Sequence, residues 1–223
     1  MAEWLFEQGI GEDRAILVEA DGIIEAAIEL PGRVKAGAVL PARLVKVLIP
    51  GRRGIALLGD EEALLEPIPA GLSEGADFHA EIVREAIPEA DKRKLAMVRA
   101  TERAPREAPS LAMRRGATPA PVTGDDLFEQ AGWSELLEEA RTGEIAFPGG
   151  ALRMSVTPAM TLFDVDGRLP PAELAEAGAA AAARAIRRLG IGGSIGIDLP
   201  TVGDRAARQR AAATVDAVLP QPV

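Results

Sequence analysis

The chain of 223 residues contains 25 Lys and Arg and 34 Asp and Glu, which gives a formal net charge of −9. Its length allows one or two domains, each with a core of its own. The absence of cysteine excludes disulfide scaffolds, thiolate zinc sites and cysteine nucleophiles, and the single histidine excludes metal sites built from several histidines. The net charge excludes a globally basic nucleic-acid-binding protein but leaves room for a basic surface of limited extent.

The first 100 residues contain short runs rich in Ile, Leu and Val that are separated by Gly and Pro. Residues 14–19 and 22–29 flank Asp21-Gly22, a pair typical of tight hairpin turns. Further runs follow at 38–50, 54–58, 63–67, 77–84 and 94–99. This spacing predicts a β-rich domain over residues 1–100, a small barrel of the OB or S1 type, although periodicity alone does not distinguish a barrel from a sandwich.

Residues 101–125 contain four prolines and few large apolar side chains, which predicts a linker. A helix is expected to follow, capped by Asp125 or Asp126 and ended by Gly143. Over the remaining residues the pattern predicts an α/β domain, assigned to residues 126–223. Its expected elements are strands at 151–156, 160–165 and 195–199 and helices at 171–189 and 204–218.

Three aspartates stand out because carboxylates are poor strand formers and costly to bury without a partner. Asp164 and Asp166 are two residues apart on one predicted strand and therefore face the same side, and Asp198 ends another apolar strand. If the strands are neighbours, the three carboxylates converge into a site suited to Mg²⁺ or Mn²⁺, whereas zinc is not expected. The alternative to a metal site is that these aspartates have only structural roles, with a turn at Asp166-Gly167 and Asp198 acting as a cap.

The C-terminal third resembles the ribonuclease E/G family in two blocks of sequence. Residues 157–167, TPAMTLFDVDG, are similar to the family's T-E-A-L-T-x-I-D-V-N-S/T and are likewise preceded by two glycines. Residues 187–198, RRLGIGGSIGID, are similar to the family's R-x-R-D-L-G-G-L-I-V-I-D, and residues 208–210, RQR, resemble a later H-Q-R. The resemblance covers residues 149 to about 218 well and residues 3 to about 99 loosely, where the family carries an S1 RNA-binding domain.

This resemblance implies an α+β protein with an S1-like RNA-binding barrel followed by a DNase I-like catalytic domain. It implies that Asp164 and Asp198 hold Mg²⁺, with Mn²⁺ as a substitute, and that Asp166 stands in the catalytic set where the family has an assisting asparagine. The implied reaction is hydrolytic cleavage of single-stranded RNA in RNA processing or decay, and the family's habit implies a homodimer.

Differences from the family pattern keep other hypotheses open. Pro158 replaces a glutamate, Ser155 stands where an acid is common, and the family's C-P-x-C zinc link is absent. These differences favour a non-catalytic RNA-binding relative that kept the fold and lost efficient cleavage. A third hypothesis is a structural or partner-binding protein that uses its acidic surface.

One interval of the first domain is basic although the chain is acidic overall. No acid occurs between Glu29 and Asp60, and the interval holds Arg33, Lys35, Arg43, Lys46, Arg52 and Arg53. These side chains are expected either to contact RNA phosphates or to form a solvated strand face. Arg208 and Arg210 are expected near phosphates or bracing the site, with solvated charges on a helix as the alternative. His79 is expected to be a structural or surface histidine.

Residues 1–9 contain acids and no apolar run of signal-peptide length, and the longest apolar run near a predicted helix, residues 177–183, is too short to span a bilayer. We therefore expect a cytoplasmic protein without a membrane partner.

Overall fold

The computed structural model describes residues 1–20, 22–32, 34–87, 94–120 and 126–219. Its architecture is α+β. The strands are β1 (Glu3–Gln8), β2 (Asp13–Glu19), β3 (Gly22–Glu29), β4 (Val39–Ile49), β5 (Arg53–Leu58), β6 (Glu61–Leu65), β7 (Asp77–Arg84), β8 (Ala96–Thr101), β9 (Thr118–Pro119), β10 (Glu144–Phe147), β11 (Gly150–Val156), β12 (Thr161–Gly167) and β13 (Ile195–Asp198). The helices are α1 (Leu111–Arg115), α2 (Leu127–Gln130), α3 (Trp133–Thr142), α4 (Pro171–Arg188) and α5 (Arg205–Val218).

The contacts divide the chain into two compact units. Met1–Glu29 and Arg115–Val223 form the first unit, and Leu30–Arg114 forms the second. The sequence prediction placed its first boundary near residue 100 and grouped the N-terminal strands with the barrel. The contacts instead make residues 30–114 an insertion between two parts of the other unit.

The second unit is a closed barrel with the strand order β4-β5-β6-β8-β7, in which β7 pairs again with β4. Its neighbours are antiparallel except for the parallel pair β6–β8. Alternate residues of β5 to β8 point inward, and the barrel core contains the fully buried side chains Leu44, Leu65, Ile82 and Val98. The barrel resolves the choice between barrel and sandwich that the spacing of the strands leaves open.

The N-terminal strands form a separate sheet in the first unit, with the order β3-β2-β1-β9. The predicted β2–β3 hairpin is present. Gly22 is the first residue of β3, and Asp21 lies outside the described residues. β9 pairs in parallel with β1, Leu5 opposite Thr118. Part of the predicted linker is therefore structured, and Pro119 is tolerated there because β9 is an edge strand. Residues 121–125 of that linker lie outside the described residues.

The second sheet of the first unit has the order β10-β11-β12-β13. One of its faces packs on α4 through Leu152, Phe163 and Val165, which are all buried. Gly178 of α4 lies so close to Val165 that a Cβ atom at this position would overlap the Val165 side chain. The alanine-rich sequence of α4 therefore brings the helix axis close to the sheet.

The predicted helix after residue 125 is split into α2 and α3. Asp126 caps α2 by accepting hydrogen bonds from the backbone N–H groups of Phe128 and Glu129, and Asp125 is not among the described residues. Gly132 has a φ of 95°, a conformation that interrupts the helix and that glycine adopts at little cost. The turn allows both Phe128 and Trp133 to enter the same core.

The C-terminal helices follow the sequence closely. α4 begins at Pro171, and Asp204 caps α5 by accepting hydrogen bonds from the backbone N–H groups of Ala206 and Ala207. Among the helices of the described residues, none combines the length and the apolarity that crossing a bilayer requires.

Candidate functional site

The second sheet of the first unit has one buried face and one open face. Along β12, Phe163 and Val165 are buried, whereas Leu162, Asp164 and Asp166 alternate with them and are partly or fully exposed. Along β11 the alternation places Arg153 on the open face and Leu152 in the core. The period of two residues in a strand therefore separates an apolar packing face from a face that carries charged groups.

Four charged side chains form a row across this open face. The register places Glu144 opposite Arg153, and it places Arg153 opposite Asp164. It places Asp164 opposite Asp198 on the parallel strand β13. Neighbouring strands lie about 4.8 Å apart. The two aspartates that the sequence assigned to a metal are therefore direct neighbours, as expected for adjacent strands.

Asp166 lies outside this row. It is opposite Ala151, and β13 ends at Asp198, so no residue of β13 lies opposite it. Within the described ranges, no group of three or more Asp, Glu or His side chains is close enough together to hold a metal ion. The sequence predicted that three carboxylates converge, but only Asp164 and Asp198 are direct neighbours. Asp166 lies two residues, or about 7 Å, beyond Asp164 along β12.

The carboxylate pair fits Mg²⁺ by the chemistry of its donors. Mg²⁺ is commonly held by one or two carboxylates together with waters and substrate phosphates, rather than by a cage made only of protein ligands. Asp198 is exposed and Asp164 is half-buried. No hydrogen bond or ion pair with another described residue occupies either carboxylate, so both are available to a cation.

Arg208 and Arg210 make contacts within the first unit. The Arg208 guanidinium donates hydrogen bonds to the carbonyl oxygens of Val202 and Gly203, at 2.7 and 3.0 Å. Arg210 Nε donates to a carboxylate oxygen of Glu176 on α4, at 3.3 Å. These contacts hold α5 against the loop before it and against α4. Neither contact involves Asp164, Asp166 or Asp198, so the roles expected for these arginines at the site stay predictions.

The basic interval of the barrel is partly neutralised by acids from outside it. Arg43 donates two hydrogen bonds to Asp77, at 2.7 and 3.1 Å, and this contact lowers the pKa of the Asp77 carboxyl and raises the pKa of the Arg43 guanidinium. Arg53 donates to Glu66, at 2.9 Å. Arg43 and Arg53 therefore add less positive potential than their charges suggest.

The remaining members of the interval differ from one another. Lys46 and Arg52 are exposed, and neither forms an ion pair with a described acid. Lys35 is half-buried and has a partner of its own, and Arg33 lies outside the described residues. The available positive charge is thus concentrated at the β4–β5 hairpin.

A cavity of about 950 Å³ in the barrel unit has Pro41, Leu57, Phe78 and His79 among its lining residues. His79 Nδ1 lies 2.9 Å from the carbonyl oxygen of Arg103. This contact fits the structural role expected for His79.

Sequence reasoning missed two members of the charged row, Glu144 and Arg153. β10, which carries Glu144, was not predicted. Arg153 lies in a predicted strand, and its position between the apolar residues Leu152 and Met154 is the signal that could have placed it on the polar face. Only the register shows that it lies beside Asp164.

A scan of protein-family models finds none that matches this chain, and a search of curated proteins finds no significant match.

Proposed function

We propose that this protein is a Mg²⁺-dependent endoribonuclease of the ribonuclease E/G type that binds single-stranded RNA and cleaves it. The observation that carries the proposal is the position of Asp164 directly beside Asp198 on an open sheet face. Two free carboxylates in register at an accessible surface suit a phosphoryl-transfer site. The resemblance of the two sequence blocks that contain these aspartates supports the same reaction.

The barrel supports the RNA-binding part of the proposal. Numbered within the barrel, its strands have the order 1-2-3-5-4-1 with a parallel 3–5 pair, which is an OB-like arrangement. OB folds bind oligonucleotides on the face of their second and third strands and on the loop between the first and second. In this chain Arg52 lies in that loop and Lys46 lies on the strand before it. The outer face of the second and third strands carries Ile55, Leu57 and Leu64, so bases would rest on aliphatic side chains instead of stacking on aromatic rings.

In the proposed reaction, Asp164 and Asp198 hold the metal on the open face. When bound, Mg²⁺ supplies a Lewis acid for a phosphate oxygen and lowers the pKa of a coordinated water. The open face leaves room for the RNA backbone, because the helix that covers this sheet packs on the other side. Asp166 adds negative charge one step further along β12, so it strengthens cation binding without being a ligand.

Cleavage of a single-stranded RNA in the presence of Mg²⁺ tests the proposal. We expect Asp164→Asn and Asp198→Asn each to lower the cleavage rate at least about 100-fold, because each removes a charged ligand. Asp60→Asn, an exposed change in the turn between β5 and β6, is the matched control and should cleave like the unaltered protein. Cleavage that survives Asp198→Asn would show that the site is elsewhere.

A second candidate is an RNA-binding protein without turnover. Two observations favour this candidate. The acidic site contains a pair of carboxylates and no group of three among the described residues, and Pro158 replaces the family's glutamate. It predicts a gel shift with single-stranded RNA and no cleavage in Mg²⁺ or Mn²⁺. Cleavage by the unaltered protein that is lost in Asp198→Asn excludes it.

A further inference from the structure

Arg153 is the only cation on the open face of the β10–β13 sheet, all of whose strands lie within the described ranges. The other side chains on this face are acidic, small or aliphatic, namely Glu144, Ala146, Ala151, Ser155, Leu162, Asp164, Asp166, Gly196 and Asp198. A single arginine among acidic, small and aliphatic residues on an open face indicates a specific role for its positive charge.

The arginine is exposed and uncommitted. The register places it between Glu144 and Asp164, and opposite charges directly across strands usually pair. Yet neither carboxylate forms an ion pair with its guanidinium, and no other described residue does. Its N–H groups therefore remain available to a ligand.

The ligand chemistry follows from the guanidinium and from its neighbours. A guanidinium is planar and always charged, and it forms paired hydrogen bonds with phosphate oxygens. The neighbouring acids repel a polyanion, so a phosphate needs a local cation to approach Asp164 and Asp198. Arg153 lies one strand from Asp164, the distance at which it can hold a phosphate beside the carboxylate pair.

We propose that Arg153 is the phosphate-binding residue of this face, and that it holds a phosphodiester of single-stranded RNA next to Asp164 and Asp198. This inference rests on the proposed RNA substrate. It does not require cleavage, because the contact is made in the bound state.

The test measures binding of a single-stranded RNA oligonucleotide, with Ca²⁺ in place of Mg²⁺, over a range of salt concentrations. We expect Arg153→Ala to weaken binding about 5- to 10-fold and to reduce the slope of log K against log salt by about 0.7, the value for one lost phosphate contact on a single strand. Arg153→Lys should keep the slope but bind more weakly, because an ammonium lacks the paired donors. Arg184→Ala, an exposed change on α4, should match the unaltered protein in both measurements.

The outcomes separate this inference from the proposed reaction. If Arg153→Ala reduces the salt slope of RNA binding but the unaltered protein does not cleave RNA, the phosphate contact is supported and the proposed reaction is overturned. An unchanged slope in Arg153→Ala, together with cleavage that depends on Asp198, overturns the phosphate contact and leaves the reaction. A protein that does not bind RNA at low salt overturns both. Equal thermal midpoints of Arg153→Ala and Arg184→Ala exclude a folding defect as the cause of weaker binding.

Discussion

Glu25 on β3 accepts a hydrogen bond of 2.9 Å from Arg187 Nε at the end of α4, although 162 residues separate the two along the chain. The same carboxylate lies 3.7 Å from the Arg115 guanidinium. Its side chain is 23% exposed. One N-terminal acid thus links the first sheet to the residues that return after the barrel.

Replacing Glu25 tests this link. We expect Glu25→Ala to lower the free energy of unfolding by about 1 kcal/mol, a value for a partly exposed charged hydrogen bond after allowance for solvent screening. Urea denaturation measures the change. Glu19→Ala, an exposed change on β2, is the control and should change the free energy by less than about 0.5 kcal/mol. Equal effects of the two substitutions would contradict a specific role for Glu25.

Gly178 is expected to resist a substitution that usually stabilises helices. Glycine to alanine in a helix interior normally gains about 1 kcal/mol, but here the new methyl group would overlap the Val165 side chain. We expect Gly178→Ala to lower the thermal midpoint, because overpacking costs roughly 1–3 kcal/mol. Adding Val165→Ala should relieve the overlap, so the double variant should lose less stability than the sum of the two single variants. Strict additivity would show that the two positions are not in contact.

Asp166 is expected to contribute less to cleavage than its two neighbours. It lies outside the row that contains Asp164 and Asp198, so its carboxylate influences the metal only through its charge. We expect Asp166→Asn to lower the cleavage rate less than about 10-fold, against at least about 100-fold for Asp164→Asn. Cleavage rates at saturating Mg²⁺ measure the difference. Equal losses would make Asp166 a ligand.

The barrel arginines that form ion pairs should contribute less to RNA binding than the free cations. We expect Lys46→Ala with Arg52→Ala to reduce the salt slope of RNA binding by roughly 1.4, two contacts at about 0.7 each. The matched control is Arg43→Ala with Asp77→Ala, which removes one charge of each sign. It should leave the slope close to that of the unaltered protein. A larger reduction of the slope in the Arg43 and Asp77 double variant than in the Lys46 and Arg52 double variant would place the RNA on the Arg43 side of the barrel.

Glu139 predicts a specific pH dependence of stability. Burial raises the pKa of its carboxyl in spite of the nearby Arg188 guanidinium, so the folded protein binds this proton more tightly than the unfolded chain does. The stability from this proton is fully present below the unfolded-state pKa and is lost as pH rises through the raised folded-state pKa. Between pH 7 and pH 4, the unaltered protein should therefore gain stability relative to Glu139→Gln.

Urea unfolding at several pH values measures this gain. Glu135→Gln, an exposed change on the same helix, is the control. A constant difference in stability between the unaltered protein and Glu139→Gln over this pH range would contradict the prediction.

Much of the local structure could be predicted from the sequence. Short apolar runs separated by Gly and Pro indicated the strands of the barrel, and apolar runs also indicated the strands at 151–156 and 160–165. Asp126 was one of the two aspartates expected to cap the helix after residue 125, because a short side-chain oxygen before an apolar helical run satisfies backbone N–H groups nearby. These signals act over a few residues, so they do not depend on the rest of the fold. Asp164 and Asp198 stood out for the same local reason, since both interrupt apolar strands, but their proximity was expected only if those strands are neighbours, which the pairing of β12 with β13 shows.

Contacts between residues far apart in the chain determine where the N-terminal strands belong and what surrounds the aspartates. β1 to β3 have the same pattern as barrel strands, and their assignment to another sheet depends on long-range partners such as β9 and α4. The register that places Arg153 beside Asp164, and Asp166 outside the row, is likewise a pairing between strands. The sequence alone indicates which residues prefer strands, helices and caps, because these preferences are local. Which strands become neighbours, and in which register, is decided by the burial of whole faces, and this determines the charges beside the proposed metal site.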